Sequence, residues 1–158
     1  MSITKIEPLA ALVEKVQAAR AQGRTVALAN GVFDLLHVGH VRYLQAAKEL
    51  ADVLVVAVNS DASTRAYKGP GRPVIPEAER VEMVAALACT DYVVLFDDTD
   101  VRAVLRALKP DVHVKGTDYT EASVPERDEV LAYGGRVAVA GDPKDHSSTD
   151  IIRRLHGG

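Results

Sequence analysis

The 158-residue sequence predicts an α/β fold, a doubly wound, five-stranded parallel sheet in the order 3-2-1-4-5. Three observations predict it. Short apolar runs without polar alternation recur along the chain, as strands buried on both faces require. Segments with apolar residues at helical spacing separate these runs, so strands and crossover helices alternate. The polar, Gly-rich segments Asn30-Gly31, Asn59-Ser60-Asp61, Lys115-Gly-Thr-Asp118 and Gly141-Asp-Pro143 all follow strands, while the turns before strands are plainer. In such sheets ligands bind at the carboxyl ends of the strands, where the strand order reverses. Here that switch point lies beside the first strand.

The elements follow in order. Residues 8–22 carry Leu9, Leu12, Val13, Val16 and Ala19 at helical spacing, with Pro8 suited to a first turn and Gly23 to a stop. The first strand is the apolar run 25–29. A helix over 38–50 leads to a strand over 53–58, and a helix over 77–88 to a strand over 92–96. A helix over 101–108 stops at Lys109-Pro110 before a strand over 112–114. A helix over 125–133 stops at Gly134-Gly135 before a strand over 137–139, and a last helix covers 149–155. The Pro- and Gly-rich stretch 67–76 excludes regular structure and reads as a functional lid.

Length suits one domain, residues 1–158, with the N-terminal helix of residues 1–23 packed on it. Apolar residues make up 47% and charged residues 26%, the balance of a soluble globular chain. A net charge of −3 provides no electrostatic footprint for duplex nucleic acid or an anionic membrane, while leaving room for one phosphorylated small molecule. Cys89 is the only cysteine, so no intrachain disulfide forms, and its apolar surroundings mark it as a core thiol rather than a nucleophile. With no signal-peptide pattern and no apolar run of membrane-spanning length, a reducing cytoplasmic setting is expected.

Function is carried by residues 30–40, Asn-Gly-Val-Phe-Asp-Leu-Leu-His-Val-Gly-His. Gly31 permits a tight turn and close approach of backbone to a ligand. His37 and His40 stand three apart, on one face if a helix starts near His37. That helix start offers unpaired N–H groups and a partial positive charge, and Gly39 removes a side chain between them and a phosphate. On pattern alone, a metal pair or two solvated histidines remain open. A metal pair needs a third ligand, and neither the His-Glu-x-x-His nor the Cys-x-x-Cys pattern occurs. The place of the turn after the first strand favours phosphate. It is neither a Walker A loop nor a Gly-x-Gly-x-x-Gly turn, which argues against ordinary NTPases and NAD enzymes.

The run from Gly31 to His40 resembles the signature of the cytidylyltransferase-like nucleotidyltransferases, whose His-x-Gly-His motif binds a triphosphate. Lys68-Gly-Pro-Gly-Arg-Pro73, Glu79-Arg80, Val114-Lys-Gly-Thr-Asp-Tyr119 and Ser147-Ser-Thr-Asp-Ile-Ile152 fall where that family has its other characteristic blocks, so the resemblance covers nearly the whole chain. Within the family, Val55-Val-Ala-Val-Asn-Ser-Asp-Ala-Ser-Thr64 and Arg72-Pro-Val74 resemble the adenylyltransferases of bacterial ADP-heptose synthesis. These join ATP and D-glycero-β-D-manno-heptose 1-phosphate, a precursor step for lipopolysaccharide or other surface glycans, and release pyrophosphate. The leading helix resembles the stand-alone form rather than one fused to a sugar kinase. The fold implied is a Rossmann-like nucleotidyltransferase domain.

The resemblance implies roles. His37, His40, Lys68 and Arg80 are the expected catalytic residues. Lys68 lies in the Pro/Gly stretch and could close over the phosphates, and Arg80 could point its guanidinium into the site. Without the family, they read as a solvated lysine and a helix-surface arginine. Gly31, Val32, Phe33, Gly39, Lys115, Gly116, Asp118, Tyr119, Ser148 and Thr149 are expected to bind nucleotide or phosphate. Ser148 and Thr149 also suit an N-cap, a compatible reading. Asn30, Asp34, Asn59, Asp61 and Arg72 are expected at the sugar phosphate, although Asp34 equally suits capping of backbone N–H groups. A basic contributor to phosphate binding is sought in Lys144-Asp-His146. His113 and His156 receive no role. Val32 stands where heptose relatives commonly have cysteine. Mg²⁺ is expected with ATP, held mainly by phosphates and without a complete protein site. ATP and a sugar phosphate are the expected partners, in a homodimer by analogy with relatives.

Two other readings compete. One keeps the fold and makes the chain a cytidylyltransferase for glycerol 3-phosphate or a related alcohol or sugar phosphate. The other is a nucleotide-binding regulatory domain without turnover, against which the joint presence of His37, His40, Lys68, Arg80 and Thr149 speaks. A class I aminoacyl-tRNA synthetase shares the His-x-Gly-His logic but needs a tRNA-binding domain and a basic surface.

Overall fold

The computed structural model describes residues 2–143 and 147–157. Five strands, β1 (Val26–Gly31), β2 (Val53–Asn59), β3 (Tyr92–Phe96), β4 (Val112–Lys115) and β5 (Arg136–Val139), form one parallel sheet in the order β3-β2-β1-β4-β5. This is the expected order. Around the sheet lie α1 (Leu9–Ala21), α2 (Val38–Lys48), α3 (Asp61–Lys68), α4 (Glu77–Ala85), α5 (Arg102–Leu108), α6 (Arg127–Ala132) and α7 (Ser148–Leu155).

The central strands lack polar alternation because each feeds two cores. In β1, Val26 and Leu28 face one side while Ala27 and Ala29 face the other. In β2, Val53, Val55 and Ala57 alternate with Leu54, Val56 and Val58, and all seven residues of the strand are buried. The first core takes Leu12, Val16 and Ala19 of α1, Val104, Leu105 and Leu108 of α5, and Val130 of α6. The second takes Leu44 and Ala47 of α2 with Val81, Val84 and Ala85 of α4. Removal of both sheet faces from water is the main stabilising term, and side chains of this size contribute about 1.5–3 kcal/mol each when fully buried.

Two features differ from expectation. An extra helix, α3, follows β2 directly. Ser60 caps it by accepting the Ser63 N–H at 3.2 Å, and the Thr64 hydroxyl donates to the Ser60 carbonyl at 2.7 Å. Its residues carry no apolar stripe, because it buries Ser63 and Thr64 rather than aliphatics. Lys68 therefore ends a helix instead of lying within a loop. The N-terminal segment also adds a parallel bridge, Ile6 to Val93, along the outer edge of β3. Cys89 packs half-buried against the second core, and burial pushes its thiol up, which suits a packing role.

Candidate active site

A cavity of about 480 Å³ opens over the carboxyl ends of the strands, at the β1–β4 switch point. That volume suits a nucleotide-sized ligand. The turn between β1 and α2 forms its floor. Phe33 and Leu35 both adopt left-handed backbone conformations, φ 54° and 49°. Neither residue is glycine, so the turn carries local strain of the kind that functional sites hold. A Cβ on Gly31 would meet the Phe33 ring at 3.1 Å, so glycine is needed to let that ring fold back under the turn.

His37 is the N-cap of α2. Its Nδ1 accepts the Gly39 N–H at 3.1 Å, and His40 Nδ1 accepts the His37 N–H at 3.2 Å. The rings stack, with centroids 3.8 Å apart, and both line the cavity. With each Nδ1 engaged as an acceptor, the neutral ring carries its proton on Nε2. The expected helix start at His37 is thus present. The two histidines cap the helix and present imidazole at its positive end.

Asp34 resolves the choice left open by its sequence. Its carboxylate accepts the Ile75 N–H on one oxygen at 2.9 Å, and on the other the Val74 N–H at 2.8 Å and Arg72 Nε at 3.2 Å. It is buried, and all three of these donors come from the loop. Burial raises its pKa, but the Val74 and Ile75 N–H groups and then Arg72 outweigh that and hold the carboxyl below its usual range. The backbone carbonyl of Asp34 accepts the hydroxyl of Ser148, at the start of α7. The turn, the 69–76 loop and the last helix therefore meet at one residue. Its carboxylate works as a backbone cap, and the residue also lines the cavity.

Most sequence-predicted residues come together here. Asn30, Gly31, Val32, Phe33, Asp34, Gly39, Asn59, Lys68, Lys115, Gly116, Asp118, Tyr119, Ser148 and Thr149 line the cavity with the two histidines. The N-cap of α7 is Ser147, which accepts the Asp150 N–H, so Ser148 serves the Asp34 carbonyl and Thr149 is exposed to the cavity. Lys115 sits with its Nζ 4.8 Å from the Tyr119 ring centroid, and burial lowers its pKa against the pull of Glu126 and Asp118. The segment Lys144-Asp-His146 lies outside the described residues.

The structure does not bring Arg72, Arg80 or Asp61 to the cavity wall. Arg80 is fully buried behind it. Its Nε donates to the Ile75 carbonyl at 2.8 Å, Nη1 to the Val32 and Asn59 carbonyls at 2.6 and 2.8 Å, and Nη2 to Asp61 at 2.8 Å. The expectation of a guanidinium aimed at phosphate is corrected. This residue clamps the β1 turn, the end of β2, the start of α3 and the 69–76 loop. Asp61 serves as its counter-ion instead of meeting substrate. Arg72 turns its Nε to Asp34, leaving Nη2 buried without a partner among the described residues.

Sequence reasoning missed several lining residues, including Tyr43, Tyr67, Phe96, Asp100 and Glu126. Tyr43 donates to the Val114 carbonyl at 2.5 Å, and burial raises its pKa far above the ordinary phenol value. Gly141 gives the loop after β5 room to pass it, since a Cβ there would stand 3.2 Å from the Tyr43 Cα. The Gly at 141 was the available signal for that close approach. Among the described residues, no three His, Cys, Asp or Glu side chains are grouped to hold a metal, and no helix is long and apolar enough to cross a membrane.

Comparison with known proteins decides the family. The model described as cytidylyltransferase-like matches residues 28–154, which contain β1 from Leu28, the other four strands, the paired histidines and α7 nearly to its end. The chain belongs to the cytidylyltransferase-like family. Relatives in this family include the bifunctional protein HldE of Syntrophotalea carbinolica, 48% identical over 152 residues, covering 96% of this chain and 31% of that protein. The HldE of Geobacter metallireducens is 49% identical over 154 residues, covering 98% and 31%. The chain thus spans about a third of the length of the curated relatives it matches. Among solved structures, the lipopolysaccharide core biosynthesis protein from Thermoplasma volcanium superposes with a TM-score of 0.66 at 28% identity, covering 77% of this chain and all of that one.

Proposed function

We propose that this cytidylyltransferase-like chain is an adenylyltransferase that transfers AMP from ATP to D-glycero-β-D-manno-heptose 1-phosphate, giving ADP-heptose and pyrophosphate. One observation carries the reading: two stacked histidines cap the start of α2 at the floor of the switch-point cavity. Likeness to HldE over nearly the whole chain supports the choice of heptose within the family.

In this reading the phosphate oxygen of the sugar attacks the α-phosphorus of ATP. A new P–O bond forms, the bond to the bridging α,β-oxygen breaks, and pyrophosphate departs in line. The nucleophile is already an anion, so positioning and positive potential do the work that a general base does elsewhere. The imidazole Nε2–H donors, the N–H groups opening α2 and the hydroxyl of Thr149 stabilise charge on the leaving pyrophosphate. Lys68, at the end of α3, supplies a cation from the cavity wall. Lys115, Gly116, Asp118 and Tyr119 border the nucleoside. Mg²⁺ bound with the triphosphate would supply charge neutralisation there, and would be held mainly by phosphates and water rather than by this chain's side chains. With such substrates we infer a cytoplasmic setting, and we carry a homodimer as the expected assembly, to be checked by analytical ultracentrifugation.

The test pairs ATP and CTP with the heptose 1-phosphate and with glycerol 3-phosphate, scored by pyrophosphate release. Turnover of ATP with the heptose phosphate is expected. Turnover of CTP with glycerol 3-phosphate, and none of ATP with the heptose phosphate, overturns the assignment. ATP binding without turnover on any acceptor leaves a nucleotide-binding regulator instead.

A further inference from the structure

Glu126 is an ionised side chain at the cavity that the phosphate chemistry does not use. It is 4% exposed, and what surface it has lies in the cavity wall beside Pro125, Lys115 and Tyr119. One carboxylate oxygen lies 3.4 Å from Nε2 of His113, and its own backbone N–H also points to the carboxylate. His113 is completely buried in β4, and its Nδ1 has no partner among the described residues. Burial raises the Glu126 pKa, but the His113 hydrogen bond and then Lys115 outweigh it and hold the group at about 2.

A carboxylate is an acceptor only, with room for about four hydrogen bonds. A nearly buried one satisfied by a single long side-chain contact retains capacity, and burying it under a ligand without partners is costly. The ligand portion that covers it must therefore bring donors. Phosphate brings none and is repelled. The cavity is accordingly polarised across the sheet. The paired histidines lie on the α2 side with the second core, whereas His113 points away from Val112 and Val114 of that core toward the face of α6.

We propose that Glu126 is a specificity-determining residue that accepts hydrogen bonds from the hydroxyls of a bound sugar ring, and that His113 is the positioning residue holding it. The proposal rests on the nucleotidyl-transfer reading only for the identity of the ring, which is the ribose of ATP or the acceptor sugar. Tyr119 and Pro125 give that ring an apolar wall, the usual complement to a hydroxyl-reading carboxylate.

Equilibrium binding to the wild-type chain and to Glu126→Gln separates the possibilities. Inorganic triphosphate probes the phosphate pole alone. ATP against 2′-deoxy-ATP and 3′-deoxy-ATP probes the ribose. Heptose 1-phosphate against sugar 1-phosphates lacking single hydroxyls probes the acceptor. The wild type is expected to prefer one fully hydroxylated ligand by about tenfold or more, since an unpaired buried polar group penalises the analogue that lacks its partner. Glu126→Gln should lose that preference while binding triphosphate as before. His113→Leu should move the same preference in the same direction, and His113→Gln, which keeps a donor near the Nε2 position, should restore part of it. An unchanged preference in Glu126→Gln overturns the proposal, as does an equal loss for every ligand including triphosphate. Failure of the wild type to bind triphosphate and ATP overturns the phosphate reading instead, while the sugar 1-phosphate arm still tests Glu126.

Discussion

Asp34 and Arg80 do their work through hydrogen bonds that a sequence cannot display. Both carry charge beside a phosphate-binding turn, which invites a contact role, yet both are buried and bonded mostly to backbone. Asp34→Asn places an amide against the donors of Val74 and Arg72, or against that of Ile75 if flipped. We expect a loss of about 1–3 kcal/mol in urea unfolding and faster proteolysis within residues 67–76. Arg80→Lys keeps the charge but not the fork that reaches Ile75, Val32, Asn59 and Asp61 together, and Arg80→Met abandons Asp61 as well. The methionine variant should lose about 3–5 kcal/mol, the cost of breaking a buried charged network, with lysine intermediate. Equal stability of both variants and wild type would contradict the clamp. His40→Ala behaves differently. It removes a cap worth about 1 kcal/mol, so circular dichroism should change little. Pyrophosphate release should fall by about a hundredfold, as for a lost transition-state donor.

At the scale of elements, the legible parts are those whose burial is aliphatic. β1 and β2 are near-continuous apolar runs because two cores share them, and α1 shows its stripe at Leu12, Val16 and Ala19. The order of the sheet follows from right-handed crossovers and the polar segments after strands. Helix α3 escaped the same reasoning because it buries hydroxyls, and Ser60 before Asp61 was the one signal available for its start. The histidine pair was legible, since spacing alone puts residues three apart on one helical face. The partners of Glu126 were not, because they depend on how a loop of β4 folds back over the strand. Helix α5 yields a prediction of its own. It ends at Lys109 in a left-handed conformation, φ 46°, on an exposed residue before Pro110. Side chains with a Cβ carry about 1–2 kcal/mol of strain there. Lys109→Gly should raise stability by about 0.5–1 kcal/mol after the added entropy of the unfolded chain, seen as a higher urea midpoint with an unchanged slope. A lower midpoint would show that the lysine side chain stabilises this turn by more than the strain.

Two buried carboxylates at the cavity, Asp34 and Glu126, shape the response of the whole molecule to acid. Asp34 ties the β1 turn to the 69–76 loop, and Glu126 sits between His113 and Lys115 at the other wall. Both have depressed pKa values in the folded chain, Glu126 at about 2 against about 4.3 for an unfolded glutamate. A group depressed on folding binds fewer protons folded than unfolded between those two values. Its contribution is therefore complete above the unfolded pKa and is lost as pH falls through the folded one. The urea midpoint should hold nearly level from neutrality to about pH 5 and then fall steeply toward pH 2. Glu126→Gln and Asp34→Asn should each flatten that fall, because each removes one of the groups that must take up a proton. The two sites share no partner, so the flattening in the double variant should equal the sum of the single effects. A fall of unchanged steepness in both single variants would show that other carboxylates govern acid unfolding, and a double variant no flatter than either single one would show that the two walls of the cavity are coupled.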